Sequence, residues 1–113
     1  MSDCIFCKIA AGEIPTDLVY EDDLVAAFKD LNPLAPVHVL IVPKEHKTNI
    51  SEYGADSENL LGHIVVVGAK LAKELGLAES GYRLITNVGS DAGQTVMHTH
   101  FHPIGGKAMQ FTV

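Results

Sequence analysis

Basic residues are scarce in this chain: 8 Lys and Arg stand against 14 Asp and Glu, a formal net charge of −6. Sequence-independent nucleic-acid binding needs a basic footprint, so no nucleic-acid partner is expected. A small phosphate ligand held by backbone N–H groups and imidazoles remains open. No apolar run approaches the roughly 20 residues that cross a bilayer, so no membrane partner is expected either. Met1-Ser2-Asp3-Cys4 has neither the basic start nor the apolar stretch of a signal peptide. A cytoplasmic setting is therefore expected, and with it reduced cysteines. There are only two of these, Cys4 and Cys7. Internal repeats and low-complexity segments are absent. What is present, 47% hydrophobic and 19% charged residues over 113 positions, describes one compact domain, 1–113, with a real core.

The patterning predicts a short helix from Ile5 to Ala11, ended by Gly12 and Ile14-Pro15. Leu18-Val19-Tyr20 and Leu24 to Lys29 read as strands around an acidic turn, Glu21-Asp22-Asp23. Two prolines make Asp30 to Pro36 a loop. His38 to Val42 is a β-branched strand stopped by Pro43. Asp56 is a good N-cap for a long helix from Ser57 to Leu75, with Gly76 as its stop. Leu61, Ile64, Val65, Gly68, Leu71, Ala72 and Leu75 form its apolar stripe, and His63, Lys70 and Glu74 its polar side, with His63 a solvated residue. Tyr82 to Thr86 and Met97 to Ile104 are the remaining strands. Adjacent strand pairs and one dominant helix indicate an α+β fold with an antiparallel sheet.

Three histidines alternate near the C-terminus: His98, His100 and His102. On an extended strand they share one face. They suit metal ligation, phosphate chemistry, or both. An imidazole is mostly neutral at pH 7 and offers a lone pair, and its spacing alone does not choose between the two. Cys4-Ile5-Phe6-Cys7 has too little chain before it for the strand that precedes a redox C-x-x-C, so a zinc half-site is the better reading. His46 and His98 are the candidates to complete it. Asn87 to Thr95 contains two glycines and several small polar residues, which let backbone N–H groups approach an anion. Placed directly before the histidines, that loop reads as a phosphate cradle. His38, alone at a strand start, reads as structural on its own.

These residues resemble the histidine triad superfamily and, within it, the Hint branch of nucleotide-binding proteins. The signature His-x-His-x-His followed by apolar residues appears as His98-Thr99-His100-Phe101-His102-Pro103-Ile104. The following Gly105-Gly106 is Hint-like, whereas the dinucleoside-polyphosphate-hydrolase branch continues with proline and basic residues. Further matches run through Cys4 to Ile9, Gly12 to Pro15, Asp30, Pro36 to His46, Leu60 to His63, Gly81 to Arg83, Asn87 and Gly93 to Thr95.

The resemblance implies a five-stranded antiparallel sheet with one long and one short helix, paired as a homodimer into a ten-stranded sheet. Such pairing would remove an exposed edge. It implies a phosphoramidase that acts on purine nucleoside phosphoramidates and releases a monophosphate such as AMP. His100 would attack phosphorus, with His102 and His38 in support. Asp30 and Leu31 would meet ribose and base; Asn87, Gly93, Gln94 and Thr95 would hold phosphate. Cys4, Cys7, His46 and His98 would bind one structural zinc per chain, and no catalytic cofactor is implied. Alternatives are a dinucleoside polyphosphate hydrolase, a nucleotide-binding module with vestigial catalysis, and a metallohydrolase using the triad as its zinc site.

The chain departs from the family pattern at three places. Thr99 is polar where the family is apolar, so its face is part-exposed or its hydroxyl paired. Pro103 has no N–H, so pairing beyond His102 is expected to stop or to lie at an edge. The tail Met109-Gln110-Phe111-Thr112-Val113 lacks the tryptophan and prolines that reach toward a partner's site, and the chain has no tryptophan at all; Phe111 is the candidate substitute.

Overall fold

A computed structural model describes residues 4–111. Helix α1 (Ile5–Ala10) leads into the hairpin β1 (Leu18–Glu21) and β2 (Val25–Lys29), then β3 (Val37–Pro43), helix α2 (Glu58–Glu74), β4 (Tyr82–Ile85) and β5 (His102–Gly105). The five strands form one antiparallel sheet in the order β1-β2-β3-β5-β4. The last strand is thus an interior one, inserted between β3 and β4. This is the expected α+β architecture.

The hairpin turn is built by Asp22, whose Oδ1 accepts the N–H groups of Leu24 and Val25 at 2.8 and 2.9 Å. Alternation then sends Val25, Ala27, Val39 and Ile41 to one face, where Ile64, Val67 and Leu71 of α2 and Phe101 complete a core. Ala26, Phe28, Leu40 and Val42 point to the other, against Phe6, Ile9 and Ala10 of α1. Gly68 lets α2 lie close to the sheet: a Cβ there would come within 3.1 Å of Leu84 Cδ1. Two faces therefore have unequal cover, 17 residues of helix on one and 6 on the other, and the thinly covered face carries the histidines.

Several boundaries differ from the sequence reading. Asp56 does not cap α2. It lies inside a 3₁₀ turn, Ala55–Ser57, that feeds the helix, and Ser57 is the cap without a side-chain bond. The other end is as expected: Gly76 adopts φ +81°, and Gly76 N–H and Leu77 N–H bond the Lys73 and Ala72 carbonyls, closing a Schellman motif. His63 is not simply solvated, because Nε2 lies 2.6 Å from Asp22 Oδ2 and ties α2 to the hairpin turn. Tyr20 donates to the same oxygen at 2.8 Å. Burial alone would raise the Asp22 pKa, but the bonds from Tyr20, the Leu24 N–H, His63 and the Val25 N–H outweigh it and hold the carboxyl well below the usual range.

The final strand is shorter than Met97 to Ile104. Residues 96–98 form a bend, and Phe101 makes a single bridge to Ile41 before the regular strand begins at His102. The backbone there bonds elsewhere: Thr99 N–H to the Lys47 carbonyl at 2.8 Å, and the His100 carbonyl from Thr86 Oγ1 at 2.8 Å. Pro103 neither stops pairing nor marks an edge. It is fully buried and sits opposite Leu84, and pairing continues through Ile104 to Gly105. On the β3 side the ladder skips it, resuming at His38↔Ile104, because proline has no N–H to give Val39. Thr99 takes the paired alternative: it is 1% exposed, and its hydroxyl donates to the Lys47 carbonyl at 3.0 Å.

Candidate functional site

Since His38 pairs with Ile104, strand alternation puts His38 and His102 on the α1 face, beside His100. The rings form a continuous row. Centroids are 5.1 Å apart from His38 to His102, 4.8 Å from His102 to His100 and 5.1 Å from His100 to Phe6. The row goes on for 6.0 Å from Phe6 to His98 and 4.9 Å from His98 to His46. Phe6 divides it into two chemically distinct halves.

In the first half, partners determine which nitrogen holds the proton. Leu34 N–H donates to His38 Nδ1 at 3.1 Å, so the His38 proton is on Nε2. That nitrogen lies 2.9 Å from His102 Nδ1, with Asp30 Oδ2 3.3 Å away. His102 Nδ1 therefore accepts, and its proton is on Nε2, which is buried without a partner. Burial, followed by the like charges of His100 and His38, lowers the His102 pKa to about 4, leaving the ring neutral at pH 7. His100 Nδ1 donates to its own chain, at the His98 carbonyl, at 2.6 Å. The His100 lone pair is consequently on Nε2.

The second half is a knot of four donors. Cys4 Sγ and Cys7 Sγ lie 3.2 and 3.4 Å from His98 Nδ1. His46 Nδ1 lies 3.2 Å from Cys7 Sγ and 3.0 Å from His98 Nδ1. His98 Nε2 donates to the Pro43 carbonyl at 2.8 Å, so its Nδ1 presents a lone pair to the cluster. Burial lowers the His98 pKa, although the Pro43 bond opposes this. Burial, then the hydrogen bond and charge of Cys4, push the Cys7 thiol up to about 11. Two soft thiols and two imidazoles, all within 4.8 Å of one another, could hold a metal ion. His46 and His98 thus join the cysteines as the sequence suggested. Asp30, His38 and His102 also cluster, but the His38 nitrogen facing the other two carries a proton and offers no lone pair.

The loop preceding the histidines turns at Gly89 and Gly93, both at φ +83°. Gln94 is 5% exposed and faces inward. Its Oε1 accepts from Gly89 N–H at 2.9 Å and Asn49 Nδ2 at 3.2 Å, and its Nε2 donates to the Thr48 and Val96 carbonyls at 2.7 and 3.1 Å. The side chain thus ties the loop to the segment after His46. Gly93 and Thr95 are exposed and Asn87 is half-buried. Leu31 is 94% exposed beside the Asp30 carboxylate. Phe111 is 85% exposed, and Thr112 and Val113 lie outside the described residues. Sequence reasoning missed the structural part played by Phe6 and Asn49. For Phe6 a signal existed: an aromatic enclosed by two metal-ligand candidates.

The model of the HIT domain matches residues 11–109. Purine nucleoside phosphoramidase of Escherichia coli (strain K12) is 47% identical over 105 residues, which cover 93% of this chain and 88% of that protein. Among solved structures, a HIT family hydrolase from Clostridium thermocellum superposes with TM-score 0.95 at 50% identity, covering 100% of this chain and 98% of that one. A HIT family hydrolase from Legionella pneumophila Philadelphia 1 gives TM-score 0.93 at 48% identity, with 96% of each chain covered.

Proposed function

Given that this chain belongs to the HIT domain family, we propose that it is a purine nucleoside phosphoramidase working through a nucleotidyl-histidine intermediate. The observation that carries this reading is the His100 tautomer. With Nδ1 committed to the His98 carbonyl at 2.6 Å, the other nitrogen holds the lone pair of a nucleophile.

His100 Nε2 attacks the α-phosphorus of a nucleoside phosphoramidate; the new N–P bond forms as the P–N bond to the amine breaks. The amine takes a proton from solvent as it leaves, and the attacking water returns one in the second step. Water then attacks the nucleotidyl-imidazole, the N–P bond breaks, and the monophosphate departs with His100 restored. His102 supports both displacements with an unpartnered Nε2–H, a donor fixed in advance where charge develops on phosphate oxygen. His38 holds that tautomer from behind. Asp30 and Leu31 meet ribose and base. Asn87, Gly93 and Thr95 border the phosphate, and Gln94 holds their loop in shape from within.

Cys4, Cys7, His46 and His98 would hold one structural zinc ion. A tetrahedral site with Zn–S of about 2.3 Å and Zn–N of about 2.0–2.1 Å needs donor separations of roughly 3.3–3.8 Å; four of the six donor pairs here lie 3.0–3.4 Å apart and all lie within 4.8 Å. When bound, the ion supplies cross-linking rather than a reaction step. Reduced thiols are needed for it, in keeping with a cytoplasmic setting, and no helix among the described residues is long and apolar enough to cross a membrane. The protein acts as a homodimer: β1 and β4 are free sheet edges, and Val65 and Val66 on α2 are exposed.

Turnover of adenosine phosphoramidate with rapid quenching tests the reading. A nucleotidyl adduct mapping to His100 and preference for P–N over P–O–P substrates are expected. Faster cleavage of dinucleoside polyphosphates, or undiminished turnover in His100→Ala, overturns it.

A further inference from the structure

The ring row carries a connection between its two halves. Cys4 and Cys7 bracket the first turn of α1, with Cys4 Sγ accepting the Cys7 N–H at 3.3 Å. Phe6, between them, is 7% exposed. Its ring meets His100 edge-on at 82° and His98 at 76°, while Phe28 supports it from the sheet at 5.6 Å and 67°. His98 also reaches His100 through the backbone, as the acceptor for its Nδ1. Besides the His102 ring at 4.8 Å, two elements orient His100, one ring and one carbonyl, and both belong to residues within or between the four metal-ligand candidates. Phe6 packs in the α1-face core and His98 Nε2 bonds the Pro43 carbonyl, yet the backbone that carries each has little regular structure of its own. Helix α1 has only six residues, too few to be stable on its own, and residues 96–98 are a bend outside the regular ladder.

We propose that Phe6 is a positioning residue for His100, and that Phe6 and the His98 carbonyl make the ring orientation of His100 depend on a metal ion drawing Cys4, Cys7, His46 and His98 together. With zinc bound, α1 and the 96–98 bend are locked, Phe6 walls one side of the His100 ring, and the carbonyl holds its Nδ1 proton. Without zinc, α1 and the bend loosen together, and the ring samples the tautomer that puts its lone pair on Nδ1, away from the substrate. The inference rests on His100 being the nucleophile, but its decisive readout does not.

That readout is ¹⁵N NMR of histidine-labelled protein without substrate, which reports the tautomer of each ring. Zinc-replete protein shows His100 as a single Nδ1–H tautomer. Removing zinc with a chelator, in protein that stays folded by circular dichroism, gives a tautomer mixture and lowers kcat roughly tenfold, since small misplacements of a reacting group are costly. KM rises less than kcat falls, because Asp30 and Leu31, which meet ribose and base, lie outside the loosened segments. Phe6→Leu, assayed with full zinc content, loses roughly three- to tenfold in kcat, the range of an aromatic edge contact. Phe6→Tyr, which retains the ring, restores most of it. If zinc removal unfolds the chain, the Phe6 variants decide alone. A single unchanged tautomer with undiminished kcat in folded zinc-free protein, or in zinc-replete Phe6→Leu, overturns the proposal. Adduct formation by His100→Ala would instead overturn the nucleophile assignment, leaving the NMR result to judge the coupling.

Discussion

At His98 the Nε2 nitrogen gives its proton to the Pro43 carbonyl, and the Nδ1 lone pair faces two thiols and a second imidazole. Two residues later, at His100, Nδ1 gives its proton to the His98 carbonyl and Nε2 is the nitrogen left over. One ring has its lone pair inside a converging set of soft donors. The other keeps its lone pair outside any such set. The side chain is the same in both places, so its chemistry is assigned by the carbonyl that each ring meets. An imidazole has one proton and one lone pair when neutral, and fixing the first aims the second.

Separating the two rings by mutation is the strongest way to break this comparison. His100→Asn should lose about 10³-fold or more in phosphoramidate turnover with its metal content unchanged, measured by steady-state kinetics and elemental analysis. Its counterpart, His98→Asn, should lose the metal and on the order of 3 kcal/mol or more of stability, measured by urea unfolding. Retained metal in His98→Asn would remove the distinction between the two rings. Gln94→Ala sharpens the boundary between them, because Gln94 joins the phosphate loop to the segment after His46. Loss of its four bonds should cost about 2–3 kcal/mol in the same unfolding assay and raise KM more than it lowers kcat.

A smaller effect is expected with pH. The His102 pKa is about 4 when folded, below the roughly 6.5 of an unfolded chain. As pH falls, the unfolded state takes up the proton first, so this contribution is complete above about pH 6.5 and is lost between there and pH 4. Urea unfolding at pH 7 and pH 5 should therefore differ by roughly 1–2 kcal/mol more in the wild type than in His102→Gln. The smallest effect should come from His63, a histidine outside both halves. Its bond to Asp22 is about one-third exposed, and His63→Leu should cost no more than about 1 kcal/mol without changing turnover.

Much of this organisation was legible in the residues. The C-x-x-C pair and the alternating histidines are unusual enough that spacing pointed to both chemistries. The β-branched run at His38–Val42 and the stripe of α2 gave the layers. Other features depend on what a side chain meets across the fold. Pro103 reads as a ladder breaker, yet its missing N–H faces a single gap in the β3 pairing while β4 pairs past it. The resemblance gives Gln94 a place at the phosphate, and only the return of the chain at Thr48 and Asn49 shows where its side-chain amide goes. His63 reads as solvated until the hairpin turn brings Asp22 to it.

The order of residues by itself determined which groups are available: two thiols, a run of imidazoles at alternate positions, a glycine-bearing loop, and the alternation that builds a sheet with two apolar faces. Those are local properties, written in identity and spacing. Tertiary structure decided how they are divided. Only folding brings Pro43 to His98, His38 to His102 and Phe6 between His98 and His100. The His98 proton is placed by a carbonyl 55 residues away and the His100 proton by the backbone two residues before it, where the chain bends out of the ladder, so two identical side chains are handed different roles.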